Sequence, residues 1–220
     1  GTEKLLEVKN DLFTISFSNK GGQPKWVELS KFKNMDSGHV RLAAADFDKI
    51  SYRINTGNNK SANTGDLYFK PGKLVKNTDG TQTISFALKP SDSSAAAIVH
   101  QYVIKPNDYM LDFEVQLNGG EKLLTQGVMN LTWNYTAAQQ ESDIDFEKQN
   151  TQVGFLEDGE FDYFTVGNRS SVDFSKPVKW IGMRQRFFNS YLIAKDNFSS
   201  GQMTWEVPSN DKKIIAQAVS

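Results

Sequence analysis

Apolar and polar residues alternate along most of the chain. The clearest stretch covers positions 111–117, where Leu, Phe, Val and Leu alternate with Asp, Glu and Gln. The same alternation recurs at positions 13–17, 50–54, 84–88, 129–135 and 203–207. Because successive side chains of a strand point to opposite faces, each stretch predicts a strand with one buried and one solvated face. Such half-buried strands are typical of antiparallel sheets.

Turn signals rich in Asn, Asp and Gly separate these stretches, for example at positions 19–22, 77–80, 118–120 and 157–159. These residue types tolerate the positive φ angles that tight hairpins require. Helical periodicity is nearly absent, so the sequence predicts an all-β protein, an extended antiparallel β-sandwich with little helix. No repeat or linker interrupts the chain, and we therefore expect a single domain spanning residues 1–220.

Two segments depart from the alternation. Positions 55–66 consist almost entirely of Asn, Thr, Gly, Lys and Ser, which predicts an exposed, mobile loop. Positions 141–162 contain eight acidic residues and one lysine. Within this segment Asp143, Asp145 and Glu147 occupy every second position, which indicates a strand with a solvated acidic face. A Ca²⁺ ion bridging the three carboxylates is the alternative interpretation.

The composition excludes several kinds of chemistry. The chain contains no Cys, so thiol catalysis, disulfide bonds and Cys-ligated metals are impossible. The two histidines, His39 and His100, lie in no recognisable catalytic setting, and a single His in a strand is more often packed than catalytic. A formal net charge of −1 argues against nucleic-acid binding. We therefore predict no enzymatic activity, no catalytic residues, no cofactor, no metal ion and no nucleic-acid partner.

Aromatic residues and arginines are concentrated between positions 176 and 194, directly after the acidic segment. One interpretation is a pair of core strands around a short turn, with the arginines facing solvent; it is favoured because large aromatic side chains are usually buried. The other is a protein contact patch, because aromatic residues and Arg dominate interface hot spots. The candidate contact residues are Trp180, Arg184, Arg186, Phe187 and Phe188.

Three ordered blocks carry a family resemblance. They are Trp-Ile-Gly-Met-Arg-Gln-Arg-Phe-Phe-Asn-Ser-Tyr-Leu-Ile-Ala at 180–194, the strand and Gly-Gly turn at 8–22, and Gln-Tyr-Val-Ile-Lys-Pro-Asn-Asp-Tyr-Met-Leu-Asp-Phe-Glu-Val at 101–115. Together they resemble the large periplasmic domain of bacterial YidC-type membrane protein insertases, in particular those of Bacteroidetes. The resemblance implies a galactose-mutarotase-like supersandwich on the periplasmic face of the inner membrane.

The resemblance also implies a function without catalysis. The chain is expected to be a soluble piece of a membrane-tethered insertase, shortened at its C-terminal end. It is expected to act as a contact surface for accessory subunits of the Sec translocon and for nascent membrane proteins. Two alternatives remain open. The chain could be a carbohydrate-binding or carbohydrate-processing β-sandwich, because aromatic-rich β-sandwiches often bind sugars, or a groove between its sheets could bind an extended peptide.

Overall fold

Strands dominate the computed structural model, which describes residues 1–57, 59–89, 97–167, 170–209 and 213–220. The described residues form nineteen strands and two short α-helices, with 3₁₀ turns at Thr64–Asp66 and Thr125–Gly127. The first half contains β1 (Leu5–Lys9), β2 (Phe13–Ser18), β3 (Gln23–Lys33), β4 (His39–Leu42), β5 (Lys49–Gly57), β6 (Lys60–Asn63), β7 (Lys70–Pro71), β8 (Val75–Lys76), β9 (Gln82–Leu88), β10 (Ala97–Ile104) and β11 (Leu111–Asn118). The second half contains α1 (Gly120–Leu123), β12 (Leu131–Ala138), α2 (Ile144–Gln149), β13 (Gln152–Glu157), β14 (Glu160–Thr165), β15 (Ser171–Phe174), β16 (Val178–Arg184), β17 (Asn189–Phe198), β18 (Gly201–Glu206) and β19 (Ile214–Val219).

The prediction of an all-β, antiparallel fold with little helix is confirmed. Each alternating stretch of the sequence overlaps a strand, although positions 129 and 130 precede β12 and position 207 follows β18. The clearest stretch is β11, which pairs with β10 along its whole length. The alternation predicts these strands well because a half-buried strand imposes its period of two directly on the side chains.

The prediction of a loop at positions 55–66 is wrong for the described residues 55–57 and 59–66. The predicted mobility stays a prediction, and position 58 lies outside the described residues. Strand β5 continues to Gly57 and pairs with β6, and a 3₁₀ turn follows. Thr64 is buried, and its Oγ1 accepts a hydrogen bond of 3.0 Å from the backbone N–H of Tyr52. The Asn63 side chain accepts from the N–H of Gly65 and thereby caps the turn. Polar side chains mark this segment as partly exposed, but they do not prevent its backbone from pairing.

The strand predicted at positions 143–147 is also wrong, because α2 occupies this segment. The Asp143 side chain is the N-cap, and its Oδ1 accepts a 3.0 Å hydrogen bond from the N–H of Phe146. Asp145 and Glu147 lie in the first turn, where carboxylates are favoured by the helix dipole. The capping hydrogen bond and the acidic residues of the first turn therefore favour a helix more strongly than the short alternating pattern favours a strand.

The chain divides into two compact units. The first comprises residues 1–32 and 49–132, and the second comprises residues 33–48 and 133–220. The single domain predicted for residues 1–220 stays a prediction, because compact units need not fold separately.

The first unit contains two antiparallel sheets and a hairpin. Strands β1, β2 and β3 form one sheet; β11, β10, β9 and β7 form the other, with β8 also paired to β9; β5 and β6 form the hairpin. The Phe17 ring packs against Tyr102 of the other sheet, with ring centroids 4.7 Å apart. The largest fully buried side chains of this unit are Phe13, Ile15, Phe17, Tyr52, Ile84, Phe86, Ile98, Tyr102 and Ile104.

The second unit also contains two antiparallel sheets. Strands β15, β18, β19 and β12 are hydrogen-bonded in that order, and β14, β13, β16 and β17 form the other sheet. Phe155 of β13 and Phe174 of β15 meet edge to face, with ring centroids 5.0 Å apart. Buried apolar side chains of this unit include Tyr135, Val153, Phe155, Val172, Phe174, Ile181, Met183, Met203, Trp205 and Ile215.

Asn10 fastens the β1–β2 turn to the β10–β11 turn of the first unit. Its Oδ1 accepts hydrogen bonds of 2.9 Å from the N–H groups of Leu12 and Phe13. Its Nδ2 donates to the carbonyl oxygens of Lys105 and Asp108, at 2.9 and 3.0 Å. One largely buried amide therefore satisfies four backbone groups.

We expect Asn10→Ala to lower the free energy of unfolding by about 2–3 kcal/mol, because it leaves these backbone groups without their partner. Chemical denaturation measures the loss. Asn10→Asp keeps the two acceptor contacts and loses the two donor contacts, so its expected loss is smaller. Equal stability of the wild-type and alanine proteins would contradict the prediction.

Candidate functional site

The sheet β14–β13–β16–β17 turns one face to the core and the other to solvent. Val153, Phe155, Ile181 and Met183 lie on the buried face. On the opposite face, cross-strand pairing aligns two rows of side chains. One row is Tyr163, Gly154, Gly182 and Tyr191; the next is Phe161, Leu156, Trp180 and Ile193.

Large apolar side chains of these rows remain exposed. The exposed fraction is 50% for Phe161, 47% for Tyr163, 38% for Tyr191 and 43% for Ile193. Trp180 is half-buried among them. We call these five residues the aromatic face. An exposed apolar cluster of this kind is uncommon on a protein surface and often marks a binding site.

The rings of the aromatic face contact one another. The Phe161 centroid lies 5.9 Å from Tyr163 and 5.7 Å from Trp180. The Trp180 ring meets Tyr191 edge to face at 5.2 Å. The Arg184 guanidinium lies over the Phe161 ring, with Cζ 5.6 Å from the centroid. These mutual contacts restrain the rings although they face solvent.

Two strand glycines allow the rings to lie close to the backbone. A Cβ added at Gly182 would overlap Cδ1 of Tyr191, so the tyrosine ring occupies the space of the missing side chain. A Cβ added at Gly154 would be 3.2 Å from Cδ of Arg184 and 3.5 Å from Cζ3 of Trp180. Gly is disfavoured in strand interiors and is retained where another group approaches the backbone closely.

A second cluster surrounds the turn between β16 and β17. The Arg186 guanidinium lies over the rings of Phe146 and Phe187, with Cζ to centroid distances of 4.8 and 4.5 Å. Its Nη1 donates a 2.9 Å hydrogen bond to Oε2 of Glu141. Phe187 is 62% exposed. We call Glu141, Phe146, Arg186 and Phe187 the turn cluster.

The structure distributes the predicted contact patch over these two clusters. Trp180 and Arg184 pack at the sheet face, whereas Arg186 and Phe187 pack at the turn. Phe188 is half-buried, and its carbonyl oxygen closes the turn by accepting from the N–H of Gln185. The proposal that these residues contact a partner stays a prediction.

Sequence reasoning missed part of the aromatic face and misjudged its burial. Positions 176–194 do form two strands around a turn, as the core interpretation predicts. Its prediction that the aromatic side chains are buried is wrong for Phe187 and Tyr191, which are exposed. Phe161 and Tyr163 were overlooked because they lie in the acidic segment. Their alternation with Glu160 and Asp162 was the available signal.

A buried carboxylate anchors the turn cluster. Glu147 of α2 is only 1% exposed. Its Oε2 accepts hydrogen bonds of 3.0 and 3.1 Å from the N–H groups of Gln140 and Glu141, and its Oε1 accepts at 2.8 Å from Nε2 of Gln185. Burial raises the pKa of Glu147, and these hydrogen bonds offset part of the rise. The residue joins α2 to the β16–β17 turn.

His100 lies in the core of the first unit. Its Nδ1 is 3.0 Å from the carbonyl oxygen of Gly22, so Nδ1 carries the proton and donates. Its Nε2 therefore accepts from the Tyr52 hydroxyl at 2.8 Å. Burial lowers the pKa of His100, which favours the neutral ring. Both ring nitrogens have partners in the core, as expected for a structural histidine.

Within the described ranges, no three His, Asp or Glu side chains are grouped closely enough to hold a metal ion. Asp143 caps α2 and Glu147 binds backbone amides, so these two carboxylates do not share a strand face. Of the helices in those ranges, none has the length and apolar run needed to cross a bilayer.

Comparison with known proteins places this chain in a family. The model of the YidC periplasmic domain matches residues 5–219. Proteins named membrane protein insertase YidC are similar to the chain. The one from Phocaeicola vulgatus is 27% identical over 210 residues, covering 93% of this chain and 32% of that protein. The one from Parabacteroides distasonis is 26% identical over 204 residues, covering 91% and 31%, and the one from Chloroherpeton thalassium is 24% identical over 220 residues, covering 98% and 38%.

This chain spans about a third of the length of these relatives. A solved structure, a galactose mutarotase related enzyme from Lactobacillus acidophilus, resembles it with a TM-score of 0.58 and 9% sequence identity. The match covers 98% of this chain and 84% of that chain, which confirms the predicted mutarotase-like fold and carries nothing about activity. With its family model matched over residues 5–219, the chain belongs to the YidC periplasmic domain family.

Proposed function

We propose that this chain is the non-catalytic periplasmic domain of an inner-membrane protein insertase and acts as a protein contact surface during membrane protein insertion and folding. The partners are accessory subunits of the Sec translocon and nascent membrane proteins. The insertion step itself belongs to other parts of the full-length protein, which tethers this domain to the periplasmic face of the inner membrane.

The aromatic face is the observation that carries the contact role. Phe161, Tyr163, Tyr191 and Ile193 are each more than a third exposed on one face of the sheet. Trp, Tyr, Phe and Arg are the residue types enriched at protein interfaces. The family supports the setting, because the curated relatives are named membrane protein insertases.

A deletion in the full-length insertase tests the contact role. Residues 5–219 are replaced by a flexible linker, and the tagged protein is purified from membranes with its associated Sec subunits. We expect several-fold less co-purified Sec subunit and slower insertion of a model substrate than with the intact protein. Retention of the other parts of the insertase at wild-type levels is the control. Unchanged association and unchanged insertion would overturn the proposal.

Carbohydrate binding is the second candidate, favoured by exposed aromatic rings that could stack on sugar rings. A glycan array probed with this chain separates the two functions. Saturable sugar binding that is lost in Trp180→Ala would support the carbohydrate function and would count against the contact function.

A further inference from the structure

We propose that the aromatic face binds polypeptide segments in which apolar side chains stand next to carboxylates. This inference rests on the proposed function and deepens it, because it names the chemistry of the partner. It concerns Phe161, Tyr163, Trp180, Tyr191 and Ile193, together with the Arg184 cation that lies over Phe161.

The apolar part of the partner follows from the shape of the face. The glycines at positions 154 and 182 contribute no side chain of their own between Tyr163 and Tyr191, so neighbouring side chains lie over their backbone. The Tyr191 ring lies against the Gly182 backbone and the Trp180 ring lies against Gly154. The result is a low platform of ring surfaces. A platform of this kind is matched by aliphatic or aromatic side chains laid across it.

Mutual ring contacts keep the platform ordered before binding. Trp180 meets Tyr191 at 5.2 Å and Phe161 at 5.7 Å, so the three rings restrain one another. Side chains that are already ordered lose less conformational entropy when a partner docks. The exposed rings can therefore contribute to binding without a large ordering cost.

The acidic part of the partner follows from charge complementarity. The Arg184 guanidinium lies over Phe161 and its Cδ lies against Gly154, so this cation is part of the face. No ion pair of Arg184 occurs among the residues that the structure describes. The neighbouring acids Glu160 and Asp162 alternate with the aromatic residues of β14 and so belong to its other side.

A polypeptide fits these charges better than a neutral glycan. The face presents the Arg184 cation among aromatic rings, which matches an apolar residue that stands next to Asp or Glu. A neutral sugar would use the rings and leave the Arg184 cation without a partner.

Peptide binding to the 220-residue chain tests the inference. The probe is a fluorescein-labelled peptide of sequence Asp-Phe-Asp-Leu-Glu-Phe-Asp-Leu. One matched peptide replaces every acid by its amide, and another replaces every acid by Lys. Fluorescence anisotropy gives the dissociation constants at low and high salt. We expect the acidic peptide to bind at least tenfold more tightly than the lysine peptide, and the difference to shrink at high salt.

Variants assign the binding to the face. We expect Phe161→Ser and Tyr191→Ser to weaken binding of both the acidic and the amide peptide at least tenfold. Arg184→Gln should weaken only the acidic peptide, by about fivefold. Tyr109→Ser is the matched control, because it removes a ring that is 48% exposed in the β10–β11 turn, outside the candidate contact residues, and should leave peptide binding unchanged. Circular dichroism and thermal unfolding verify that each variant is folded.

Several results would overturn the inference. They are the absence of saturable peptide binding, equal affinity for the acidic and lysine peptides, and wild-type affinity in Phe161→Ser and Tyr191→Ser. Binding of a neutral glycan instead of the peptides, or self-association abolished by the same variants, would give the face another occupant and also overturn it. The domain deletion described above is independent: if deletion impairs insertion while these variants bind normally, the contact function stands and this inference fails.

Discussion

Replacing His100 by alanine is expected to lower the free energy of unfolding by about 3–4 kcal/mol. The substitution removes a ring that packs 4.6 Å from Phe69 and 5.4 Å from Phe113, centroid to centroid, and leaves a cavity. It also deprives the Tyr52 hydroxyl of its 2.8 Å acceptor and the Gly22 carbonyl of one of its donors. Urea denaturation at pH 8, where the histidine is neutral in both states, measures the loss.

Tyr102→Phe is the matched control for this network. The Tyr102 hydroxyl donates to the same Gly22 carbonyl at 2.9 Å. Its removal leaves that carbonyl bonded to His100, so we expect a loss of only about 1 kcal/mol. A loss below 1 kcal/mol in His100→Ala, or a larger loss in the tyrosine variant, would contradict the assignment of His100 as the centre of the network.

The same residue makes stability depend on pH. Burial lowers the pKa of His100 in the folded protein below its ordinary value of 6.5, so the unfolded chain binds its proton more readily. The contribution of His100 is therefore complete above pH 6.5 and is lost as the pH falls toward the folded pKa. Within that window the free energy of unfolding should fall by up to about 1.4 kcal/mol per pH unit. His100→Asn should lack this part of the slope, and identical pH profiles would refute the prediction.

Much of the fold could be predicted from the sequence, because a strand with one buried face imposes alternation on its residues. Strand β11 shows this directly, since its apolar residues stand at every second position. Helix α2 could not be predicted in this way. Its six residues are too few for helical periodicity to appear, and one capping carboxylate at Asp143 determines where it begins.

The candidate site was predictable only in part, because alternation gives two faces and does not say which one meets solvent. Trp180 and Tyr191 therefore looked like core residues. The informative signal was glycine: Gly154 and Gly182 interrupt the apolar runs at 153–156 and 180–183 and lie side by side in the sheet. Such a pair indicates that other side chains cover the backbone, which is how the rings of the aromatic face are placed.

Removing the Glu147 carboxylate in Glu147→Ala is expected to lower the free energy of unfolding by about 3 kcal/mol. The carboxylate accepts from the N–H groups of Gln140 and Glu141 and from Nε2 of Gln185. In the alanine variant the two backbone N–H groups and Nε2 of Gln185 each lose one hydrogen-bond acceptor in the interior. Each lost hydrogen bond costs about 1 kcal/mol. Urea denaturation measures the total, and amide hydrogen exchange should become faster at Gln140 and Glu141.

Glu147→Gln is the matched control, and its pH dependence separates it from the wild type. Its amide oxygen still accepts hydrogen bonds, but its NH₂ group then faces a donor, so we expect an intermediate loss at neutral pH. Burial raises the pKa of Glu147 above its ordinary value of 4.5, so its contribution is complete below pH 4.5 and is lost as the pH rises through the folded pKa. The stability gap between the wild type and Glu147→Gln should therefore narrow as the pH rises through that window, opposite in sign to the effect of His100. A constant gap, or unchanged exchange at Gln140 and Glu141 in the alanine variant, would show that this carboxylate does not hold α2 to the turn.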